Sequence, residues 1–449
     1  MDRTDQRTGP HTGRSRPVPT GRLALVVALA AIPLVVMRSD AWWIVGLLLA
    51  VVAAVAVADL VAAVSPTLID VEREFPSTLT VGDEAEITWR ITNLAARATT
   101  VTVGDAIWPS FGATRRSATM QLDSRRRHRF GARITPSRRG RFPFGSIAVR
   151  TAGPLGLMVR QANHHVPGSI AVMPAYPSRE LMSTRLRIPL ETGVRSVRSR
   201  GSGTEFEQLR EYRQGDDFRR VDWAATARQQ HVVVRDYRAE RNQYVIALLD
   251  NGRSMAGTVG NTPRVEHAMD AVLGLTQVAG HLGDNVGLLT FDSQVRSIVP
   301  ARNSKAQFAK VAEAMYLLDP ALDESAYATA FTNAAARFRR RSLFVVFTEL
   351  VDTVIVDALL PALASLTRTH LVLVAAVRDP DVAGWAAQSG HEAASDAYRT
   401  AAAVAALDAR ERTAARLRSA GAIVIDAGPG ELATDVVDQY LELKSSGRL

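Results

Sequence analysis

The spacing of apolar and polar positions changes several times along the 449 residues, and each change predicts a different kind of structure. Residues 1–22 are polar, with Arg3, Arg7, Arg14, Arg16 and Arg22 among Gly, Pro and Thr, which predicts a disordered tail. Leu23–Met37 is continuous apolar sequence, Arg38-Ser39-Asp40 breaks it, and Ala41–Ala58 is apolar again up to Asp59, followed by Leu60–Val64. The second run is long enough to cross a bilayer. The first is short, but Arg22 and Arg38 can reach out of the hydrocarbon and Pro33 is tolerated in a span. Trp42 and Trp43 stand where an interfacial aromatic belt would be. Residues 23–64 are therefore expected to be two transmembrane helices in a tight hairpin. The rival reading is a cleaved signal peptide with Ala28-Leu29-Ala30 as its small-residue site, and its core of Leu23–Leu29 is short for that role. Five arginines before the first span place the N-terminus in the cytoplasm, and a second span returns the chain there. The expectation is a multi-pass protein of the cell membrane with both termini cytoplasmic.

From 65 to 176 the period is two, as in Ala85-Glu86-Ile87-Thr88-Trp89-Arg90-Ile91-Thr92 and Thr99-Thr100-Val101-Thr102-Val103. Turn residues separate the runs, at Gly82-Asp83, Arg139-Gly140 and Gly153-Pro154. This predicts a β-sandwich of immunoglobulin-like kind. Arg125-Arg126-Arg127-His128-Arg129 reads as a solvated strand edge. His164-His165 is no metal site, because neighbours on a strand point to opposite faces. Residues 177–242 are expected to hold a mobile linker followed by a charged segment. From 243 to 449 apolar strands alternate with amphipathic helices. Tyr244–Asp250, Val286–Phe291, Ser342–Phe347, His370–Val377 and Ala422–Ile425 read as strands, with Val295–Pro300 as a short edge strand. Arg264–Leu282, Ser304–Leu318, Ala326–Phe338, Val354–Leu366, Ala394–Ser419 and Glu431–Leu443 read as helices. Such alternation predicts a doubly wound α/β domain of Rossmann-like strand order.

The charged segment, Gly203–Arg241, interleaves eight arginines with eight acids around Phe206, Leu209, Tyr212, Phe218, Val221 and Trp223. Arginine suits fixed pairing with carboxylates, so a partly buried ion network around Trp223 is expected, against the plainer alternative of a solvated surface segment. Composition narrows the function. The net charge of +9 invites a nucleic-acid reading, but lysine occurs only at 305, 310 and 444, and the arginines are dispersed among acids and form no stripe. The absence of cysteine excludes disulfides, thiolate zinc sites and thiol catalysis.

The run Arg210-Glu211-Tyr212-Arg213, Gly215-Asp216-Asp217, Arg219-Arg220-Val221-Asp222-Trp223 and Ala227-Arg228 resembles the hallmark of a bacterial family known as domain of unknown function 58, with Ala224 where family members often carry a basic residue. The resemblance implies a membrane-tethered protein with a von Willebrand A-like domain, no established catalytic activity, and a MoxR-type AAA+ ATPase as partner.

In doubly wound sheets ligands sit at the carboxyl ends of the strands. There Asp250-Asn251-Gly252-Arg253-Ser254 resembles the Asp-x-Ser-x-Ser metal-ion-dependent adhesion motif of von Willebrand A domains, with Gly252 in place of the middle serine. Asp250, Ser254, Ser325 (or Thr329) and Glu349, beside Thr348, are the candidate metal ligands, and Mg²⁺ bound weakly is the most such a set would hold. The favoured alternative is that Asp250 and Ser254 cap the following turn. No P-loop, no nucleophile elbow and no zincin helix occurs, so no catalytic residue is assigned. The leading expectation is a non-enzymatic membrane-anchored interaction protein. An extracytoplasmic adhesin or receptor and a metal-dependent hydrolase are the alternatives.

Overall fold

A computed structural model describes residues 3–6, 15–36, 42–191, 205–213, 218, 221–238, 242–351, 358–389 and 393–449. The chain divides into two compact units, Met1–Met173 and Pro174–Leu449.

The first unit contains helices α1 (Gly21–Val36) and α2 (Trp42–Ala62), which pack on each other. Among the described residues one helix, Trp42–Leu68, is long and apolar enough to cross a membrane, and Gly21–Ile32 is a shorter apolar stretch. Twelve strands accompany them. They are β1 (Arg3–Gln6), β2 (Arg16–Pro19), β3 (Ile69–Pro76), β4 (Thr78–Thr80), β5 (Ala85–Asn93), β6 (Thr99–Asp105), β7 (Ser117–Leu122), β8 (Arg127–Ile134), β9 (Gly140–Pro143), β10 (Ile147–Ala152), β11 (Met158–His164) and β12 (Ser169–Met173). They form sheets of order β1-β3-β5-β8, β2-β11-β10-β6-β7 and β4-β12-β9. Period-two burial builds the shared core, with Ile69, Val71 and Phe75 of β3 beside Ile87, Trp89 and Ile91 of β5 on one sheet, in one cluster with Val101 and Val103 of β6 from the other. The tail differs from expectation. Its described residues 3–6 and 16–19 are strands paired to β3 and β11, because a sheet edge offers backbone partners whatever the side chains.

Arg73 shares the inward parity of Ile69, Val71 and Phe75 and is wholly buried. Its Nη2 donates to Asp105 Oδ1 at 2.9 Å, and its Nε stands 2.8 Å from Oδ2 in the same ion pair. Trp89 Nε1 donates to the same carboxylate at 2.8 Å, and Arg73 also reaches the carbonyls of Val166 (3.3 Å) and Gly145 (3.2 Å) and lies over the Phe144 ring. This pair joins β3 of one sheet to β6 of the other. It is a cross-sheet tie in a chain without disulfides.

The second unit opens with α3 (Arg179–Glu191), β13 (Glu205–Glu211), α4 (Trp223–Gln229) and β14 (Val233–Arg238). The expectation of a mobile linker over 177–202 is corrected for residues 179–191, and residues 192–202 lie outside the described residues. Residues 179–191 form a helix whose Met182 is buried against Gly274, and Ser178 donates to Asp270 at 2.8 Å. There follow β15 (Tyr244–Asp250), the two-residue strands β16 (Thr258–Val259) and β17 (Thr262–Pro263), α5 (Arg264–His281), β18 (Asn285–Phe291), β19 (Val295–Arg302), α6 (Gln307–Met315) and α7 (Tyr327–Arg337). The last elements are β20 (Leu343–Phe347), α8 (Leu360–Thr367), β21 (Leu371–Val377), α9 (Pro380–Ala386), α10 (Ala394–Ser419), β22 (Ile423–Ala427) and α11 (Leu432–Ser445). Part of the helix expected over 354–366 lies outside the described residues.

The large sheet has the order β19-β18-β15-β20-β21-β22, parallel except for the edge strand β19. Its strands are apolar on both faces. Ala247, Leu249 and Val345 look toward the α5 and α11 side, and Ile246, Leu248 and Val346 toward the α7 and α8 side. At the amino end of β18, Lys444 of α11 contacts both oxygens of buried Asp284 (2.8 and 2.7 Å), and Tyr440 donates to the same group at 2.5 Å. One charge cluster therefore pins the last helix to the bottom of the sheet, which leaves the carboxyl-end rim as the place where loops gather.

Candidate functional site

Asp250 ends β15 at that rim and is completely buried. Its Oδ1 accepts the Ser325 hydroxyl (2.5 Å) and the Gly252 N–H (2.9 Å). Its Oδ2 accepts the hydroxyls of Tyr327 and Thr348, each at 2.7 Å. Four donors occupy a group with about four lone-pair sites. Burial, and then the charge of Asp250, push the Tyr327 phenol well above its ordinary value, so it stays a donor. Gly252 is fixed by the same packing: a Cβ there would lie 2.0 Å from Ser325 Oγ and 3.3 Å from Asp250 Oδ1. The hydroxyl missing from position 252 is thus supplied from position 325, to the carboxylate itself.

Glu349 follows β20 and is 5% exposed. Arg264, at the start of α5, approaches its Oε2 at 2.9 Å, and Arg410 of α10 pairs with its Oε1. Arg410 also holds Asp426 of β22 in a two-pronged contact (2.8 and 2.9 Å) and donates to Val377 O at 2.9 Å. Burial opposes the charge of Arg410, but hydrogen bonding to Asp426 and the charges of Glu349 and Asp426 prevail and raise its pKa. The chain Arg264–Glu349–Arg410–Asp426 draws on four separate elements. Beside it, Arg253, Ser254, Arg264, Glu324, Ser325 and Glu349 line a cleft of about 330 Å³.

These residues do not fit a hard divalent cation, which needs several unpaired oxygens in a near-octahedral shell. Asp250 is saturated by donors, two guanidiniums flank Glu349, and no group of three or more His, Asp or Glu is placed around a metal position among the described residues. The structure brings Asp250, Ser325 and Thr348 together, and Ser254 and Glu349 share the adjoining cleft. Thr329 is exposed on α7 and takes no part. Asp250 caps the turn at Gly252, but the structure shows Ser254 lining the cleft and no capping bond from Ser254 to the turn. Tyr327, Arg264 and Arg410 are the participants the sequence reading missed. All three sit in helices whose own periodicity explains them, so no local signal marks them.

The charged segment builds a small module of its own. β13 and β14 pair antiparallel from Glu205↔Arg238 to Glu211↔Val233. Asp222 is the N-cap of α4, accepting from Ala225 N at 2.9 Å, and Gln230 closes that helix in the left-handed region (φ 60°). Val221, Ala225, Val233 and Val234 make its buried seam. Arg210 is half-buried and donates to the Glu211 carbonyl at 3.2 Å, Glu211 is exposed, and Arg228 Nε donates to Ala224 O at 3.2 Å. Tyr212 packs its ring on Phe218, centroids 5.4 Å apart. Gly215, Asp216, Asp217, Arg219 and Arg220 lie outside the described residues.

The burial expected of Trp223 is corrected, while Asp216, Asp217, Arg219 and Arg220 of the expected network lie outside the described residues. Trp223 is 66% and Phe218 67% exposed, beside partly exposed Leu209 and Val232. The short apolar seam is filled by valines and alanine, and a residue at the first position of a seven-residue helix points away from it.

Residues 208–412 match the family described as "Protein of unknown function DUF58". Uncharacterized proteins of Mycobacterium bovis and Mycobacterium tuberculosis are 28% identical over 182 residues, covering 40% of this chain and 56% of theirs. The chain spans about half the length of the curated relatives it matches. Among solved structures, the conserved hypothetical protein BatB from Bacteroides thetaiotaomicron aligns with 15% identity and a TM-score of 0.34, over 45% of this chain and 99% of that one. An aerotolerance-related membrane protein from Bacteroides fragilis aligns with 16% identity and a TM-score of 0.30, over the same shares of each chain.

Proposed function

We propose that the chain is a membrane-anchored, non-catalytic interaction protein. Its α/β domain is von Willebrand A-like with a metal-free rim, and its charged motif is the docking surface. The observation that carries this reading is the exposure of Trp223 and Phe218 on a module whose own small core is already filled. Large exposed aromatics rimmed by charges are the composition of interaction sites. The saturation of Asp250 and the two arginines paired with Glu349 support a rim that neither binds a cation nor activates water. The strand order with one antiparallel edge supports the A-like assignment.

Two spans with both termini cytoplasmic complete the reading. Their support is that β2, just before α1, pairs with β11, which follows α2, so both flanks lie at one end of the helix pair. The partner class is a MoxR-type AAA+ ATPase, as the family resemblance implies.

The test is co-purification of a neighbouring MoxR-type ATPase with full-length wild type and with Trp223→Ala. The expected result is lost capture with an unchanged melting temperature, since surface substitutions of this kind stay within about 0.5 kcal/mol. Undiminished capture, or a variant that melts far earlier, would overturn the docking role. Protease added to intact spheroplasts should leave the soluble domains uncut.

A further inference from the structure

The loop Gly153–Met158, between β10 and β11, is gripped from two sides at the base of the helix pair. From α2, Asp59 is only 2% exposed and accepts three backbone N–H groups. Its Oδ1 takes Leu155 N (2.7 Å), and its Oδ2 takes Leu157 N (2.8 Å) and Met158 N (2.9 Å). From the residue before α1, Thr20 N donates to Leu157 O at 3.1 Å, and its hydroxyl donates to the carbonyls of Gly156 and Leu157 at 2.8 and 2.9 Å. Gly153 has no room for a Cβ, which would lie 2.4 Å from Asp59 Cγ. Gly156 sits at φ +67°, and a Cβ there would come within 3.0 Å of Arg22 Nη1. The loop cannot leave without stripping a buried carboxylate of its donors.

Position along the helix sets the loop's depth. Asp59 follows Trp42 by seventeen residues, which at ~1.5 Å per residue is about 25 Å of helix. With Trp42 and Trp43, 74% and 59% exposed, at one interface, Asp59 falls near the opposite face of a hydrocarbon layer about 30 Å thick. Leu155, held directly to Asp59, is 56% exposed. Leu25 and Val61, at the same end of the helix pair, are 62% and 68% exposed.

We propose that Gly153–Met158 is a lipid-contacting loop, with Leu155 seated at the boundary between headgroups and acyl chains, so that the sandwich meets the bilayer at a third point besides α1 and α2. The proposal rests on the reading that α2 spans the membrane. Its occupant is the lipid surface, since a leucine clamped at this depth beside two apolar helices has acyl chain as its neighbour.

The natural chain has no cysteine, so single cysteines can be placed at will. Leu155→Cys, Val51→Cys and Glu84→Cys, each in the full chain and labelled with the environment-sensitive dye NBD, are reconstituted into phosphatidylcholine vesicles. Glu84 precedes the end of β5 that is remote from Ile69 and so serves as the aqueous control. The expected result is blue-shifted emission at 155 that is quenched by lipids brominated near the headgroup, quenching at 51 by lipids brominated at mid-chain, and neither at 84. Quenching at 51 with water-like emission at 155 would overturn the loop proposal and leave the spanning reading intact. Water-like emission at 51 would overturn both. Adding Asp59→Asn, which turns an amide donor toward the loop N–H groups, should abolish the blue shift at 155 and leave 51 unchanged. A persistent shift in that variant would overturn Asp59 as the residue that seats the loop.

Discussion

Arg73 in the sandwich and Glu349 at the rim of the α/β sheet are both buried charges, and they are compensated in opposite ways. Arg73 has one counter-charge, Asp105, sealed in with Trp89, two carbonyls and the Phe144 ring. Desolvation dominates there: it lowers the pKa of Arg73 and raises that of Asp105, against their mutual attraction. Glu349 instead sits between two guanidiniums, and one of them, Arg410, is shared with Asp426, so that at Arg410 hydrogen bonds and charges together outweigh burial. A private pair depends wholly on its partner. A shared chain redistributes when one link is lost.

Asp105→Ala should therefore have the largest effect. It strands Arg73 in the core, at about 3–5 kcal/mol, read as faster hydrogen exchange across β3 and β5 in the full chain. Glu349→Gln should cost less, about 1–3 kcal/mol, because Arg410 keeps Asp426 and the amide oxygen still accepts a bond. Equal losses in the two variants would erase the distinction.

Acidification separates the units by sign. Burial lowers the pKa of His267 and His370, so below about pH 6.5 the unfolded chain takes up protons that the folded α/β domain resists. That domain should lose stability as pH falls from there to the folded values, by a fraction of the ~1.4 kcal/mol per pH unit per proton, since both rings keep some solvent. Asp105 acts the other way. Its raised pKa penalises the folded sandwich at neutral pH, and the penalty shrinks as pH falls toward the unfolded value near ~3.9. Between pH 7 and pH 5, protection from exchange, taken relative to the intrinsic rate at each pH, should fall for β15 and β20 and should not fall for β3 through this pair. The smallest effect is Mg²⁺: millimolar amounts should leave the melting temperature of wild type unmoved, because binding stabilises only by RT ln(1 + [L]/Kd). Gly252→Ser should remain equally indifferent to Mg²⁺, with its new side chain against Ser325.

Much of the α/β domain is legible in the sequence. Ala394–Ser419 and Tyr244–Asp250 carry strong periods and clear ends, and both form elements with those limits. Asp250, Ser325 and Thr348 are legible as one cluster because strand ends and following loops converge in a doubly wound sheet. Arg264 and Arg410 are not, since a network assembled from four elements leaves no trace in any one of them. Alternating charges in the Gly203–Arg241 segment suggest burial, yet an aromatic residue is weak testimony to its own burial, as Trp223 shows. Arg73 is the opposite lesson. Its parity with Ile69, Val71 and Phe75 marks it as inward-facing, and a buried partner could have been sought on that ground. Residues 179–191 mislead because Arg185, Arg187 and Pro189 mask the Met182–Leu186 stripe of a short helix.

The sandwich is not contiguous in the chain. Its outermost strands β1 and β2 precede both apolar helices, and every other strand follows them. A fragment begun after α2 would leave the backbone groups of β3 and β11 open at two sheet edges, a template for edge-to-edge self-association. The unit that can be excised cleanly begins at Pro174 instead. The sandwich is complete only with its amino-terminal strands in place, on a chain whose two apolar helices lie between its second strand and its third.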